Sequence, residues 1–514
     1  MAPDPRKMYL IMDEQEEKHD QPWPSYHIET PRRLESTGLY SDSRIHHLPR
    51  REATLDEIES VHTKRYVQDV KSTETMTVVQ QEQFCTNYED IYVNSATWRR
   101  AKLAAASAID LAIECATHKK PGIAFVRPPG HHAMPDEGCG FCIFNNVAIA
   151  AKQAIKRGVA KRVLIVDYDV HAANGTQECI EGEEGIQLIS IHRYEHGKFW
   201  PNMPQTGIYH KYKNTMNLPL NATGMSDREY FALFSHIILP VAYSYRPDLI
   251  LVSSGFDASI GDPEGYMNVT PSGFATMIRK LMDTGVPVAA ILEGGYFLDA
   301  LAADSEYVVR AMLGEAVPKS VELSLRPHPL VAETISRIYQ RYQNSFPFFR
   351  KVQELRELLL ETKFDTRTEQ TTDYTGERVV CAPYDTRGIY TPLSDEKVDE
   401  FRKELAEILN EDKLKKLENF DEKMAKPLEF STGTPTNCLK YDDDLEKIVF
   451  GDGNAVRLFA TLLFRLPFDP LFALGHIPDT IPNFQDIQLH DSLKEIRKDI
   501  KFFCLAFWVM PTIF

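Results

Sequence analysis

The sequence predicts an α/β fold: an open parallel sheet with helices on both faces, followed by a mainly helical C-terminal region. Four short runs carry the prediction: GIAFV at 122–126, RVLIV at 162–166, LILVS at 249–253 and VPVAAIL at 286–292. They are mostly apolar and do not alternate with polar residues, as befits strands buried on both faces. Helical patterns separate them, and parallel strands require such crossovers. Each run also ends in residues suited to chemistry: RPPGHH at 127–132, DYDVH at 167–171, SGFD at 254–257 and EGGY at 293–296. Open α/β sheets bind ligands beyond the carboxyl ends of their strands, so these clusters are expected to meet in one crevice.

The other elements follow in order. Residues 8–12 suit a first strand, and 22–34, with Pro22, Pro24 and Pro31, a loop leading into a helix. Residues 53–70 have helical spacing, with Thr54 as N-cap and Glu57 completing a capping box. The Ala-rich stretch 98–117 is a helix. So is 145–157, which Gly158 ends from the C′ position. Helices at 227–245 and 271–283 complete the alternation, which stops near 314–319. The sequence therefore divides into a sheet domain at 1–318 and a region of unknown function at 319–514. In the latter, 330–342, 351–362 and 395–417 read as amphipathic helices. Residues 366–374 read as a polar linker, and 413–426 as a charged, solvated face.

Composition narrows the function. A net charge of −16 leaves no basic excess to neutralise phosphates. It argues against direct nucleic-acid binding and favours cationic substrates. No run of 18 apolar residues predicts a membrane span, and the apolar tail at 502–514 is too short for one. No secretory signal is read at 1–17. The eight cysteines are expected as free thiols in a reducing compartment, cytoplasmic or nuclear. Cys139 and Cys142 are expected to line or support a site rather than to act as a redox pair.

Asp169 and His171 stand two residues apart at a strand end and so point to the same side. With Asp257 they make two carboxylates and one imidazole. Three ligands with open positions describe a catalytic metal site, for which Zn²⁺ is the default and Fe²⁺ or Co²⁺ also fits. His131 and His132 suit acid–base work, each needing a partner to fix its tautomer; Asp167 and Asn174 are the candidates. Tyr296 follows two glycines and offers a neutral phenol as a donor opposite the metal. Metal, paired histidines and phenol together suit hydrolysis of an amide.

The segments RPPGHHA, GFCIFNNVAIA, DYDVH, NGTQ, SIHRYEHGKFWP, LVSSGFDASIGDP and LEGGY occur in this order, after HIETPRRL near the start. Over 8–314 the chain thereby resembles the zinc-dependent histone deacetylase family, class II, and most closely its class IIb polyamine-deacetylase-like branch. The resemblance implies the arginase/deacetylase-like open sheet and zinc held by Asp169, His171 and Asp257. It implies His132 as general base backed by Asn174, His131 as an acid or electrostatic partner backed by Asp167, and Tyr296 as oxyanion donor. Phe141 and Trp200 would wall the channel, with Gly140 and Gly294 along the substrate path. A rim carboxylate would be Glu89 or Asp90. A K⁺ ion would sit on main-chain oxygens in the stretch of Asp167, Asp169, His171, Ser190 and Ile191.

Several places depart from the family pattern. Ala172-Ala173 stands where the family has His-Gly, Glu89 stands where it has a rim aspartate, and 200–217 is short. The polyamine branch's constricting Pro-Glu-x-Glu is replaced by Pro24-Ser25-Tyr26-His27. Glu264, however, matches that branch's cation-selecting glutamate. The implied substrates are acetylpolyamines, or acetyl-lysine on histones or other proteins. The competing expectation is a catalytically weak scaffold or acetyl-lysine reader, with corepressor-type partners bound through 319–514.

Overall fold

Eight strands form one parallel sheet in the order β2-β1-β3-β8-β7-β4-β5-β6. They are β1 (Met8–Met12), β2 (Ile45–His47), β3 (Gly122–Phe125), β4 (Val163–Asp167), β5 (Ile186–Arg193), β6 (Thr215–Leu220), β7 (Leu249–Ser254) and β8 (Val288–Leu292). The computed structural model describes residues 8–13, 18–38, 40–318, 327–346, 349 and 390–414. All of these lie in one compact unit.

The sheet is dry on both faces. Tyr9, Ile11, Ala124, Val163, Ile165, Leu249, Leu251, Ala289 and Ile291 share one core cluster with the helices Thr97–His118 and Asn146–Lys156. The residues between them, among them Leu10, Ile123, Leu164, Val166, Ile250 and Val252, are equally buried and face the other way. This is why the runs lack alternation. The open parallel sheet with helices is therefore the observed fold.

Three strands escaped the sequence reading, each for a physical reason. β2 is a three-residue edge strand with two exposed histidines. β5 is interrupted by Gln187, Ser190 and His192, and β6 by Asn217 and Pro219. Pro219 is tolerated because β6 is the other edge of the sheet.

The expected helix at 53–70 is two helices, Leu55–Ile58 and Lys64–Ser72. The Thr54–Glu57 capping box is present, but Thr63 starts a new helix by accepting from the Tyr66 amide. The helix expected at 227–245 contains a π-helical turn at Phe234–Ile238, just before Pro240, which has no N–H to donate. Helices Val78–Cys85, Asn174–Cys179 and Leu298–Met312 were not foreseen.

Beyond residue 318, helices Pro329–Tyr342 and Asp395–Leu414 occupy two of the three expected places. The first is pinned to the β6 edge by Thr334 and Tyr342, which donate to the Pro219 and Thr215 carbonyls over 2.9 and 3.0 Å. The helix expected at 351–362, the linker at 366–374, most of 413–426 and the tail at 502–514 lie outside the described residues. No helix among the described residues is long and apolar enough to cross a membrane.

Candidate active site

The strands β3, β8, β7 and β4 are neighbours at the middle of the sheet. Their register keeps their carboxyl ends level: Asp167 pairs with Ser253, and Ser254 with Leu292. The four polar clusters therefore meet above one edge.

Asp169, His171 and Asp257 converge and are buried, with ligand atoms all within 4.8 Å of one another. His171 Nδ1 lies 3.2 Å from Asp169 Oδ1 and 3.2 Å from Asp257 Oδ2. Among the described residues no lysine or arginine pairs with either carboxylate. Burial and the facing Asp169 raise Asp257 to about 6. Two buried carboxylates sharing one imidazole are short of positive charge, and a divalent cation supplies it. The backbone is shaped around them. A Cβ on Gly294 would stand 2.2 Å from Asp257 Oδ2, and one on Gly255 would stand 2.1 Å from Asp169 Oδ2. A second group, His131, Cys142 and Glu293, spans a similar distance. It suits a metal less well, because burial pushes the Cys142 thiol far up and His131 is committed elsewhere.

The adjacent histidines have different partners. His131 Nδ1 lies 3.0 Å from Asp167 Oδ2, and His132 Nδ1 lies 2.6 Å from Asn174 Oδ1. Burial opposes charge on both rings. For His131 the carboxylates Asp169, Asp167 and Glu293 overturn it and hold the ring's pKa well above the usual range. For His132 burial is reinforced by His131 and His171, and the pKa falls well below it. One neighbour is thus cationic and the other neutral at pH 7.

Ala172 and Ala173 are buried and do not disturb this order. Gly175 brings the next helix against His132, where a Cβ would come 2.4 Å from the His132 carbonyl carbon. Cys139 and Cys142 are free buried thiols whose main chains bond to each other. The Cys142 Sγ accepts from the His132 amide at 3.5 Å, a supporting position.

Tyr296 is held by its amide, which donates to Asp262 Oδ2 at 2.6 Å. Its ring lies 5.8 Å from that of Phe141, edge to face. Burial raises its phenol well above the ordinary value, so it stays protonated. Phe141 (φ +67°) and Gly140 (φ +51°) are both left-handed. A Cβ on Gly140 would meet Trp200 Cη2 at 2.4 Å. Trp200 stands edge-on to His132 at 4.6 Å, while Phe199 stacks on His171 at 5.2 Å.

At the rim, Glu89 Oε1 accepts from Trp200 Nε1 at 3.0 Å, and Asp90 accepts from the Tyr390 hydroxyl. Glu264 is partly buried. Burial raises its pKa, and the positive charges of His171 and Arg193 oppose the rise. It also acts on Asp90 and Tyr390, which places its charge at the mouth. No described residue donates a hydrogen bond to its carboxylate.

The sequence reading missed four supports. Glu293 accepts from the amides of Gly130 and His131 at 2.6 and 3.1 Å and so fixes the histidine turn. Asp262 holds the Tyr296 and Phe297 amides and, with its other oxygen, the Glu264 amide. Arg193 carries the Glu264 loop through the Glu264 and Gly265 carbonyls. Tyr390 comes from a part of the chain with no catalytic motif. Glu293, Asp262 and Arg193 stood within the quoted motifs, and for Glu293 the acid type directly after a strand was the available signal.

Fold and site define an α/β protein with a candidate metal centre at the carboxyl edge of a parallel sheet. The chain belongs to the histone deacetylase family: the Histone deacetylase domain matches residues 26–312. It is similar to the polyamine deacetylase HDAC10 of Danio rerio, 40% identical over 326 residues, covering 60% of this chain and 48% of that protein. It is also similar to histone deacetylase 15 of Arabidopsis thaliana, 37% identical over 325 residues, covering 61% and 57%. The chain thus spans about half the length of these relatives. The crystal structure of the HDA15 HD domain superimposes with a TM-score of 0.60 at 33% identity, covering 66% of this chain and 97% of that one.

Proposed function

We propose that the protein is a zinc-dependent deacetylase that hydrolyses N-acetyl amines, with acetylpolyamines or acetyl-lysine side chains as substrates. The observation that carries this is the meeting of Asp169, His171 and Asp257 with two oppositely tuned histidines and a buried phenol. Asp169, His171 and Asp257 would hold the zinc. Once bound, it supplies Lewis acidity that polarises the acetyl carbonyl and makes water a stronger acid.

The protein's own groups do the rest. Asn174 takes the Nδ1 proton of His132 in a hydrogen bond, which leaves Nε2 with a free lone pair. His132 Nε2 accepts the proton of the water that attacks the carbonyl carbon. Tyr296 donates its hydroxyl hydrogen to the developing oxyanion. His131, whose pKa Asp169 and Asp167 hold well above the usual range, protonates the nitrogen as the C–N bond breaks, and acetate and free amine leave. Phe141 and Trp200 exclude water from an alkyl chain, with Gly140 and Gly294 leaving it room. Glu89 and Asp90 mark the rim.

A structural K⁺ on main-chain oxygens near Asp167, Asp169, His171, Ser190 and Ile191 belongs to the same reading. Its support is the register pairing Asp167 with Ser190. So do a cytoplasmic or nuclear location, a catalytic unit at 1–318, and corepressor-type protein partners for 319–514.

Glu264 favours substrates carrying a second ammonium, because it is partly buried and no described residue donates a hydrogen bond to its carboxylate. An ammonium–carboxylate contact contributes about 1.5–3 kcal/mol, or roughly 10- to 150-fold in kcat/KM. The test compares N8-acetylspermidine with an acetyl-lysine peptide in the wild type and in Glu264→Leu. The variant is expected to lose polyamine turnover and keep or gain peptide turnover. An unchanged ratio removes Glu264 from selectivity, and no turnover of either substrate by the wild type removes the deacetylase reading.

A further inference from the structure

The polyamine branch narrows its mouth with a segment that this chain lacks, yet the mouth of this site is covered from elsewhere. Tyr390 donates its hydroxyl to Asp90. Its ring lies 4.9 Å from His27 and 5.7 Å from Phe141. Phe141 is in turn the ring beside Tyr296. Phe141 therefore has the Tyr390 ring and the Tyr296 ring as neighbours, both edge to face.

The segment that carries it is anchored. In the helix Asp395–Leu414, Val398, Phe401, Leu405, Ile408 and Leu409 form one apolar stripe, packed on Ile260, Phe297 and Ala300. Gly261, at φ +80°, leaves room for this contact, since a Cβ there would come 2.9 Å from Phe401 Cγ. Arg402 Nε reaches Asp299 Oδ2 at 3.1 Å. The helix thus rests on the two loops that carry Glu264 and Tyr296.

We propose that Tyr390 is a specificity-determining residue: it caps the rim carboxylate Asp90 and narrows the mouth, so that slender N-acetyl alkylamines enter more readily than acetyl-lysine in a polypeptide. This rests on the deacetylase reading of the site. A polypeptide must bring its backbone to the rim. There it meets the Tyr390 ring, and of the two rim carboxylates Asp90 is already bonded to the phenol while Glu89 accepts from Trp200. An alkylamine passes without displacing either, and its distal ammonium finds Glu264, to which no described residue donates. Asp90, raised to about 6 by burial, with Tyr390 opposing the rise, is a poor second cation site while the phenol holds it. Sequence distance hid this arrangement, since 300 positions separate Asp90 from Tyr390.

The experiment measures kcat/KM for an acetyl-lysine peptide and for N8-acetylspermidine with the full chain. It compares the wild type, Tyr390→Phe, Tyr390→Ala and Phe401→Asp. Tyr390→Ala is expected to raise the peptide-to-polyamine ratio about tenfold or more, the scale of one hydrogen bond to a charged group, mainly through the peptide KM. Tyr390→Phe, which removes only the hydrogen bond, should move it part of the way. Phe401→Asp, which undocks the helix at a distance from the mouth, should reproduce Tyr390→Ala. In a Tyr296→Phe background, fluorescence anisotropy of a labelled acetyl-lysine peptide should show tighter binding by a similar factor.

Turnover of both substrates with an unchanged ratio in Tyr390→Ala and Phe401→Asp overturns the role of Tyr390 and leaves the deacetylase reading standing. Absence of all turnover overturns that reading. The anisotropy then decides the rest: unchanged peptide affinity overturns the cap as well, and tighter binding supports it on a pocket that only binds.

Discussion

Arg33 Nε donates to the main-chain oxygen of Gly295 over 2.7 Å, from a guanidinium with no solvent exposure. The same guanidinium reaches the Glu293 carbonyl at 2.5 Å and Glu29 Oε1 at 3.0 Å, and it lies 4.9 Å from the centre of the Tyr296 ring. Glu29 is shared with Arg127, whose Nε is 2.5 Å away. A buried ion cluster thus sets the course of the strand end that carries Tyr296.

Breaking this cluster should destabilise the protein. Removing one partner of a buried pair costs about 3–5 kcal/mol, because the other charge stays buried. Glu29→Gln is expected to lower the urea midpoint accordingly. Burial alone would raise the Glu29 pKa, but Arg127 and Arg33 overturn this and hold it well below the usual carboxylate range. Its contribution is therefore complete above the unfolded value of about 4.3 and is lost as pH falls below it. In chelator-treated protein, the wild type should lose more stability between neutral and strongly acidic pH than Glu29→Gln. Equal pH slopes would remove Glu29 from the acid response.

Elemental analysis of purified protein should find about one zinc per chain. Asp257→Ala should lose it. Gly294→Ala should lose it too, with all three ligands still present, because its methyl group would come 2.2 Å from Asp257 Oδ2. Full zinc content in Gly294→Ala would show that the carboxylates have room to retreat.

Tyr296→Phe keeps the ring against Phe141 and removes the donor. Loss of one oxyanion donor costs about 10²–10³ in kcat. KM should change little. A kcat within about threefold of wild type, far short of that range, would assign the oxyanion to other donors.

Asn174→Asp should change the pH profile rather than only the rate. In the wild type, burial together with His131 and His171 keeps His132 neutral well below its ordinary pKa. A carboxylate behind Nδ1 would favour the protonated ring and raise that pKa. Protonation removes the base, so the acid limb of kcat/KM should move to higher pH. A limb that stays in place would separate His132 from the base step.

The catalytic-type clusters were legible in the sequence because parallel strands bury both faces. Their apolar runs are uninterrupted, and whatever polar residues follow them emerge at one edge. Residues such as Asp169, His171 and Tyr296 could therefore be gathered from their positions after β4 and β8. β5 and β6 were not legible, because their polar residues face partners supplied by other elements. His192, for example, bonds to the Thr206 carbonyl at 2.8 Å, and Asn217 to Gln177 at 3.2 Å.

What the sequence by itself determined is the middle of the sheet and the residue types at its carboxyl edge, since these follow from local periodicity and composition. The resemblance already implied that Asp167 backs His131 and Asn174 backs His132, and both pairs are present. What only the tertiary structure decided is the partners outside that pattern: Glu293 holds the histidine turn, and Tyr390 covers Asp90. Such pairings depend on distances between side chains far apart in the chain, which residue spacing along the sequence does not encode.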